Sequence, residues 1–273
     1  MEILNNINID NPCESALNKL NKEISNNNSL NSTNLSISIN SEVPQKYYIK
    51  NSSEIRISYI NKLFNNKIPS KNPSNNLIKR KYNSMIFFDW DDTLLCSTFL
   101  IEKENKNLNK KHISQLENIV YDLLQLSINY GDTYIITNAS KNWVLYSSMI
   151  YFPKIIQLFN KIKIISARDA YEKNFPNNNK LWKLAVFMDI TNLYNKNLIT
   201  NIISIGDSLI ENEAVFKLSS FFSECYIKTI KIQEESKPEL LLKQLKLILK
   251  QFNFFHSSVR NISVKIEKNN VKL

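Results

Sequence analysis

The chain has 273 residues, a formal net charge of +10 and only two glycines. Its three cysteines, Cys13, Cys96 and Cys225, are scattered, with no C-x-x-C pair and no His/Cys cluster, so neither a disulfide framework nor a zinc site is indicated. No run approaches ~20 apolar residues, so no membrane-spanning helix and no membrane partner are expected.

The opening "MEILNNINID" has neither a charged n-region nor a long apolar stretch, so it does not read as a signal peptide. The expectation is an intracellular protein, cytoplasmic or nuclear. A basic balance attracts nucleic acid or phosphorylated, acidic partners. Here the lysines are spread along the chain without an Arg-rich stripe and interleaved aromatics, which makes nucleic acid the weaker of the two. The basic run "LIKRKYN" fits a nuclear import signal only as well as many chance matches do.

Residues 1–80 are crowded with Asn, Ser, Lys and Ile, as in "ISNNNSLNSTNLSISINS". Such segments bury too little apolar surface to offset the entropy of ordering, so this arm is expected to be largely disordered. Residues 81–255 read as one domain, and 256–273 as a tail in which "NISVKIE" is a candidate edge strand.

Within the domain, "SMIFF" (84–88) is a short apolar run that fits a strand buried on both faces. "CSTFLIEKENKNLNK" (96–110) reads as a short flap. "HISQLENIVYDLLQLSINYG" (112–131) carries apolar residues at helical spacing and ends on Gly131, a plausible helix stop. "DTYIITNAS" supplies the second strand, "KNWVLYSSMIYF" a helix closed by Pro153, and "KIKIIS" the third strand. "NNKLWKLAVFMDIT" (178–191) is a helix capped by Asn178 or Asn179. "LITNIISIGDS" holds the fourth strand, "IENEAVFKLSSFF" a helix and "CYIKTIKI" the fifth strand. An amphipathic helix with Pro238 in its first turn follows. Alternating strands and helices predict an α/β fold: a Rossmann-like three-layer sandwich around a mainly parallel, five-stranded sheet.

In such a sheet the strand ends share one rim, where ligands bind. The first strand ends on Asp89-Trp90-Asp91-Asp92-Thr93, the second on Thr137-Asn138, and the fourth on Gly206-Asp207-Ser208 with Glu211 beyond. Acids gathered there are tolerable beside a divalent cation, and hard carboxylate oxygens suit magnesium. Hydroxyls and helix N-termini on the same rim suit phosphate oxygens.

The pattern D-x-D-x-T behind a buried strand resembles motif I of the haloacid dehalogenase-like (HAD) hydrolase superfamily. Thr137 in "YIITN" resembles motif II, a lysine of "NNNKLWKLAVF" motif III, and "IISIGDSLIE" motif IV. The resemblance covers about residues 84–235, and "FFDWDDTLL" with "GDSLIENEA" is especially similar to capless HAD-like proteins of protists. It implies an HAD-like fold and a magnesium-dependent phosphatase. Asp89 would be the nucleophile that forms an aspartyl-phosphate, and Asp91 the general acid and base. Thr137 would hydrogen-bond the phosphoryl group, with Asn138 offering a backbone N–H. Asp89, the Asp91 carbonyl, Asp207 and Glu211 would hold Mg2+, and Gly206 and Ser208 would support the site. Thr93 would orient Asp91, whereas Asp92 falls at a variable position and reads as structural. Lys183 or Lys180 would offset the phosphate charge, Lys183 being preferred for its apolar surroundings. Trp90 either packs or lines the mouth. Arg168 either reaches the rim or pairs with Asp169. His112 and His256 read as surface or capping residues.

The gaps from Leu94 to His112 and from Ser166 to Asn178 are too short to fold a cap domain. An open site admits a phosphorylated side chain on a protein or another macromolecule, as well as a small phosphomonoester. Two rivals stay open: an idle HAD fold serving as a binding module, and a nucleic-acid end phosphatase.

Overall fold

Strand β2 (Asn83–Phe88) runs through the middle of the sheet, between β3 (Gly131–Thr137) and β5 (Ile199–Gly206). The computed structural model describes residues 35–40, 83–102, 110–194, 199–222 and 225–268. With β1 (Leu35–Asn40), β4 (Lys163–Ser166), β6 (Tyr226–Lys231) and β7 (Ile262–Lys268), the strand order is β1-β7-β6-β5-β2-β3-β4. Strands β2 to β7 form a six-stranded, all-parallel open sheet, and β1 adds an antiparallel edge on β7. The chain winds outward from β2 through β3 to β4, then returns to β5 and winds the other way. The order therefore reverses between β2 and β5, and such a switch point opens a crevice at the carboxyl ends of the strands.

The expected count of five strands is corrected by β7. It alternates Ile262, Val264 and Ile266 inward with Ser263, Lys265 and Glu267, the pattern of a strand covered on one face only. It is flanked on both sides, by β6 and β1, so it is not an edge. The arm also departs from its expectation at Leu35–Asn40, which pairs with β7; the rest of 1–80 lies outside the described residues.

Helices cover both faces. On one side, α2 (Lys110–Tyr130), α3 (Lys141–Tyr151), the 3-10 turn Pro153–Leu158 and α7 (Pro238–Ser257) pack over Ile86, Phe88, Ile135, Ile203 and Ile205. On the other, α4 (Ala167–Tyr171), α5 (Asn179–Asn192) and α6 (Leu209–Ser219) pack over Met85, Phe87, Tyr134, Ile136 and Ile202. Successive residues of β2 thus serve opposite cores, which is why "SMIFF" is continuously apolar. Each such fully buried side chain contributes roughly 1.5–3 kcal/mol.

Between β2 and α2 lies the short helix α1 (Ser97–Glu102), in the predicted flap; between β4 and α5 lies α4. Among the described residues, no helix is long and apolar enough to cross a membrane.

Candidate active site

The two strands that meet at the switch point deliver the two central acids. Asp89 extends the β2–β5 ladder by one residue, its N–H donating to the Ile205 carbonyl at 3.0 Å. The chain then turns sharply, the Trp90 carbonyl accepting from the N–H groups of Thr93, Leu94 and Leu95 at 3.3, 2.9 and 3.1 Å. Trp90 packs rather than lining the mouth: it is fully buried and its Nε1–H donates to Ser147 Oγ at 3.1 Å. Asp92 takes a left-handed conformation (φ 51°), which Asp tolerates better than most residues. Its carboxylate receives the N–H (3.1 Å) and the hydroxyl of Thr98, at the start of α1.

Lys183 closes the site from α5. Its ammonium lies 2.9 Å from Asp89 Oδ2 and is paired with Glu211 Oε1, with 1% of the residue exposed. Lys180, a turn earlier, faces solvent, so the structure separates the two lysine candidates. Helix α5 starts where the sequence indicates, Asn178 Oδ1 accepting the Leu181 N–H at 3.3 Å.

Glu211 sits in the first turn of α6, whose cap is Ser208. The sequence S-L-I-E has the capping-box spacing. Here Ser208 Oγ accepts from Ile210 N at 3.1 Å and donates to Glu211 Oε2 at 2.6 Å. A Cβ on Gly206 would come within 2.9 Å of Glu211 Cγ, so the glycine makes room for this carboxylate. Both Glu211 oxygens therefore have a protein partner, Ser208 and Lys183, beside the part in holding a metal or its waters expected of it. Thr93 departs from expectation. The tight turn carries its hydroxyl to Asp207 Oδ1, 3.1 Å away, and not to Asp91.

Two carboxylates, Asp89 and Glu211, thus pair with one ammonium, and a third, Asp207, feels its charge. Burial works against the charge on Lys183, but Asp89 and Glu211 outweigh it and hold the ammonium above the ordinary lysine range. Burial likewise opposes ionisation of Glu211, yet its close pairing with Lys183 keeps it below the usual carboxylate range. The excess falls on the other two. Burial raises Asp89 to about 7 against the pull of Lys183, with Glu211 and Asp207 adding to the rise. Burial and then Glu211 raise Asp207 to about 6.

Such surplus negative charge on oxygen donors fits a hard cation in kind. Asp89, Asp207 and Glu211 are the side chains that could hold it. Each already meets a protein donor, Asp89 Oδ1 accepting from Trp90 N at 2.8 Å, but a carboxylate oxygen keeps a further lone pair. As the side chains stand, no group of three His, Cys, Asp or Glu residues among the described residues is arranged to hold a metal ion.

Asp91 lies apart from this cluster and is held by neutral donors. Trp143 Nε1–H donates to its Oδ1 at 2.8 Å, and Thr137 Oγ1–H to its Oδ2 at 3.3 Å. Thr137 Oγ1 also accepts from Ala139 N at 2.9 Å, while the cap of α3 is Ser140. Beside it, Asn138 Oδ1 is buried without a hydrogen-bond partner.

Two residues at the site escaped the sequence reading. Lys231 ends β6, donating to the Asp207 carbonyl at 2.6 Å and to Glu234 at 2.8 Å. Applying the strand-end rule to the fifth strand as well would have found it. Trp143 carried no comparable signal, since its partner is 52 positions away. Arg168 is exposed and lies over the Trp182 ring at 5.8 Å, while Asp169 accepts the Lys141 N–H at 2.9 Å, so the two do not pair. His112 meets Glu239 on the surface, and His256 meets Ser84 at the opposite end of the sheet. Comparison with protein-family models, curated proteins and solved structures finds nothing that matches this chain.

Proposed function

We propose that the chain is a magnesium-dependent phosphomonoester hydrolase of the HAD type. The observation that carries the reading is the buried cluster at the β2/β5 switch point, where Lys183 spans Asp89 and Glu211 beside Asp207. In this reading Asp89 Oδ attacks phosphorus and the bond to the leaving oxygen breaks. Asp91 gives that oxygen its proton. Asp91 then takes a proton from the water that attacks the phosphorus of the aspartyl-phosphate, returning Asp89 as a carboxylate. Lys183 offsets the phosphoryl charge, and Thr137 donates a hydrogen bond to it. Magnesium, held by Asp89, Asp207 and Glu211, would supply the rest of the charge neutralisation. Among the described residues, only short helices stand between the strands and the long helices beside the site, which supports an uncapped mouth and a phosphorylated protein side chain as substrate.

The test is turnover of p-nitrophenyl phosphate, phosphopeptides and 5′- or 3′-phosphorylated oligonucleotides, with magnesium and after chelation. Wild type is expected to hydrolyse at least one phosphomonoester with magnesium, and Asp89→Asn to lose about 10³-fold or more. Absence of magnesium-dependent turnover across all classes would sink the reading. A second reading, an idle HAD fold used as a binding module, draws on Lys183 itself: its ion pairs with Asp89 and Glu211 would also serve to hold the fold together. Tight phosphoprotein binding without turnover would favour it.

A further inference from the structure

We propose that Trp143 is a positioning residue, whose indole N–H holds the Asp91 carboxylate in the orientation the site needs. The role assigned to Asp91 rests on the phosphatase reading; the contact does not. A general acid works only if its oxygen stays within hydrogen-bond reach of the leaving group, and among the described residues no ion pair aims Asp91. Its two oxygens are held instead by two neutral donors, the Trp143 indole at 2.8 Å and the Thr137 hydroxyl at 3.3 Å.

Trp suits this task. It donates only, through one N–H at the end of a rigid ring, so it cannot swing its partner into an alternative bonding pattern as an amide can. The ring is itself held. It packs partly buried against the core under α2 and α3. Its backbone N–H is received by the Ser140 cap, Oγ at 3.1 Å. The loop ahead of α3 is clamped from β4 and α4: Ser166 Oγ donates to the Ala139 carbonyl at 2.6 Å, and Asp169 Oδ2 receives the Lys141 N–H at 2.9 Å. The end of β4 thus aims Asp91 through the loop, the first turn of α3 and the indole. Precision of this kind comes from a supporting shell on rigid elements.

The test has two arms on the full chain. In the first, the indole N–H resonance of Trp143 is assigned by its loss in Trp143→Phe and compared between wild type and Asp91→Ala. An upfield move and faster solvent exchange in Asp91→Ala support the contact. An unchanged resonance overturns the proposal whatever the activity. In the second, Trp143→Phe keeps the ring and removes the N–H. It is expected to lower kcat about 10-fold with KM within twofold, because the donor serves Asp91 and not substrate binding. An unchanged kcat, or a change confined to KM, overturns the proposal. Should Trp143→Phe fail to fold, the first arm decides alone: the chain has three tryptophans, and if no indole resonance moves between wild type and Asp91→Ala the proposal is overturned. A wild-type protein without turnover sinks the phosphatase reading alone, and the resonance arm then decides the contact by itself.

Discussion

Each end of the central strands buries a lysine, and the two lysines live in opposite electrostatic worlds. At the carboxyl end, Lys183 lies between Asp89 and Glu211 and is held more firmly charged than an ordinary lysine. At the amino end, Lys228 is equally buried, but its ammonium donates to the neutral amide oxygen of Asn201 and lies 5.3 Å from the Tyr226 ring centroid. Burial there lowers it to about 7, against a smaller upward pull from Cys225. Asn201 in turn donates to the His256 carbonyl at 3.1 Å, and Ser84 meets His256 at 2.9 Å. Burial of a cation therefore does not by itself make a reactive centre. What distinguishes the carboxyl end is the surplus of acids, which raises Asp89 and Asp207 as well.

The largest break in this comparison is Lys183→Met. It strands Asp89 and Glu211 without their shared cation, and removing one partner of a buried pair costs about 3–5 kcal/mol. Urea denaturation at neutral pH is expected to show that loss, and the proposed turnover to disappear with it. Lys180→Ala, on the exposed face of the same helix, should leave both unchanged. Equal effects from the two lysines would mean that the ammonium–carboxylate cluster does not hold.

Lys228 gives the opposite sign. Its folded-state pKa, about 7, lies below the unfolded value of 10.5. Between these values the unfolded chain binds a proton that the folded chain does not. Stability should therefore rise with pH from about 7 toward 10.5, by at most about 1.4 kcal/mol per pH unit from this group. Lys228→Met removes that contribution. The stability difference, variant minus wild type, is expected to be most favourable to the variant near pH 7 and to shrink as pH rises. A difference that stays flat from pH 7 to 10 would show that Lys228 is charged in the folded protein across the range.

The same contrast governs what could be read from the sequence. Period and apolar runs gave β2, β3 and the helices, and put Asp89 and Asp207 together, because a parallel sheet brings its strand ends to one rim whatever lies between them. Lys183 came from the motif resemblance and the apolar setting of "WKLAVF". The alternation of "LSISIN" is as regular as that of "NISVKIE", but it sits inside an Asn/Ser-rich stretch that argues against order, so β1 was not expected. Side-chain partners were less legible. The motif resemblance assigned Thr93 to Asp91, whereas the turn closed by the Trp90 carbonyl delivers it to Asp207. Spacing placed Glu211 near a metal, but no pattern says that Ser208 and Lys183 would occupy both of its oxygens.

The two glycines carry the comparison to its smallest scale, one at each end of the sheet. Neither has a positive φ, so neither is there for backbone freedom. Gly131 opens β3 where it pairs with Ser84 of β2, and a Cβ there would lie 2.2 Å from the Ser84 carbonyl oxygen. That obstacle is backbone in a strand buried on both faces. It can move only by shifting the ladder, so Gly131→Ala is expected to cost about 3 kcal/mol, at the upper end for overpacking. Gly206 meets a side chain instead, Glu211 at 2.9 Å, which can yield by turning. Gly206→Ala should cost less, about 1 kcal/mol. Turning Glu211, however, pulls its carboxylate off Lys183 and Ser208 and disturbs the charge balance around Asp89. Thermal denaturation and turnover measured together should therefore rank the two variants in opposite orders. Gly131→Ala is expected to lose more stability, and Gly206→Ala more activity for each kcal/mol lost. A single ranking in both measurements would mean that the acid cluster does not set the rate.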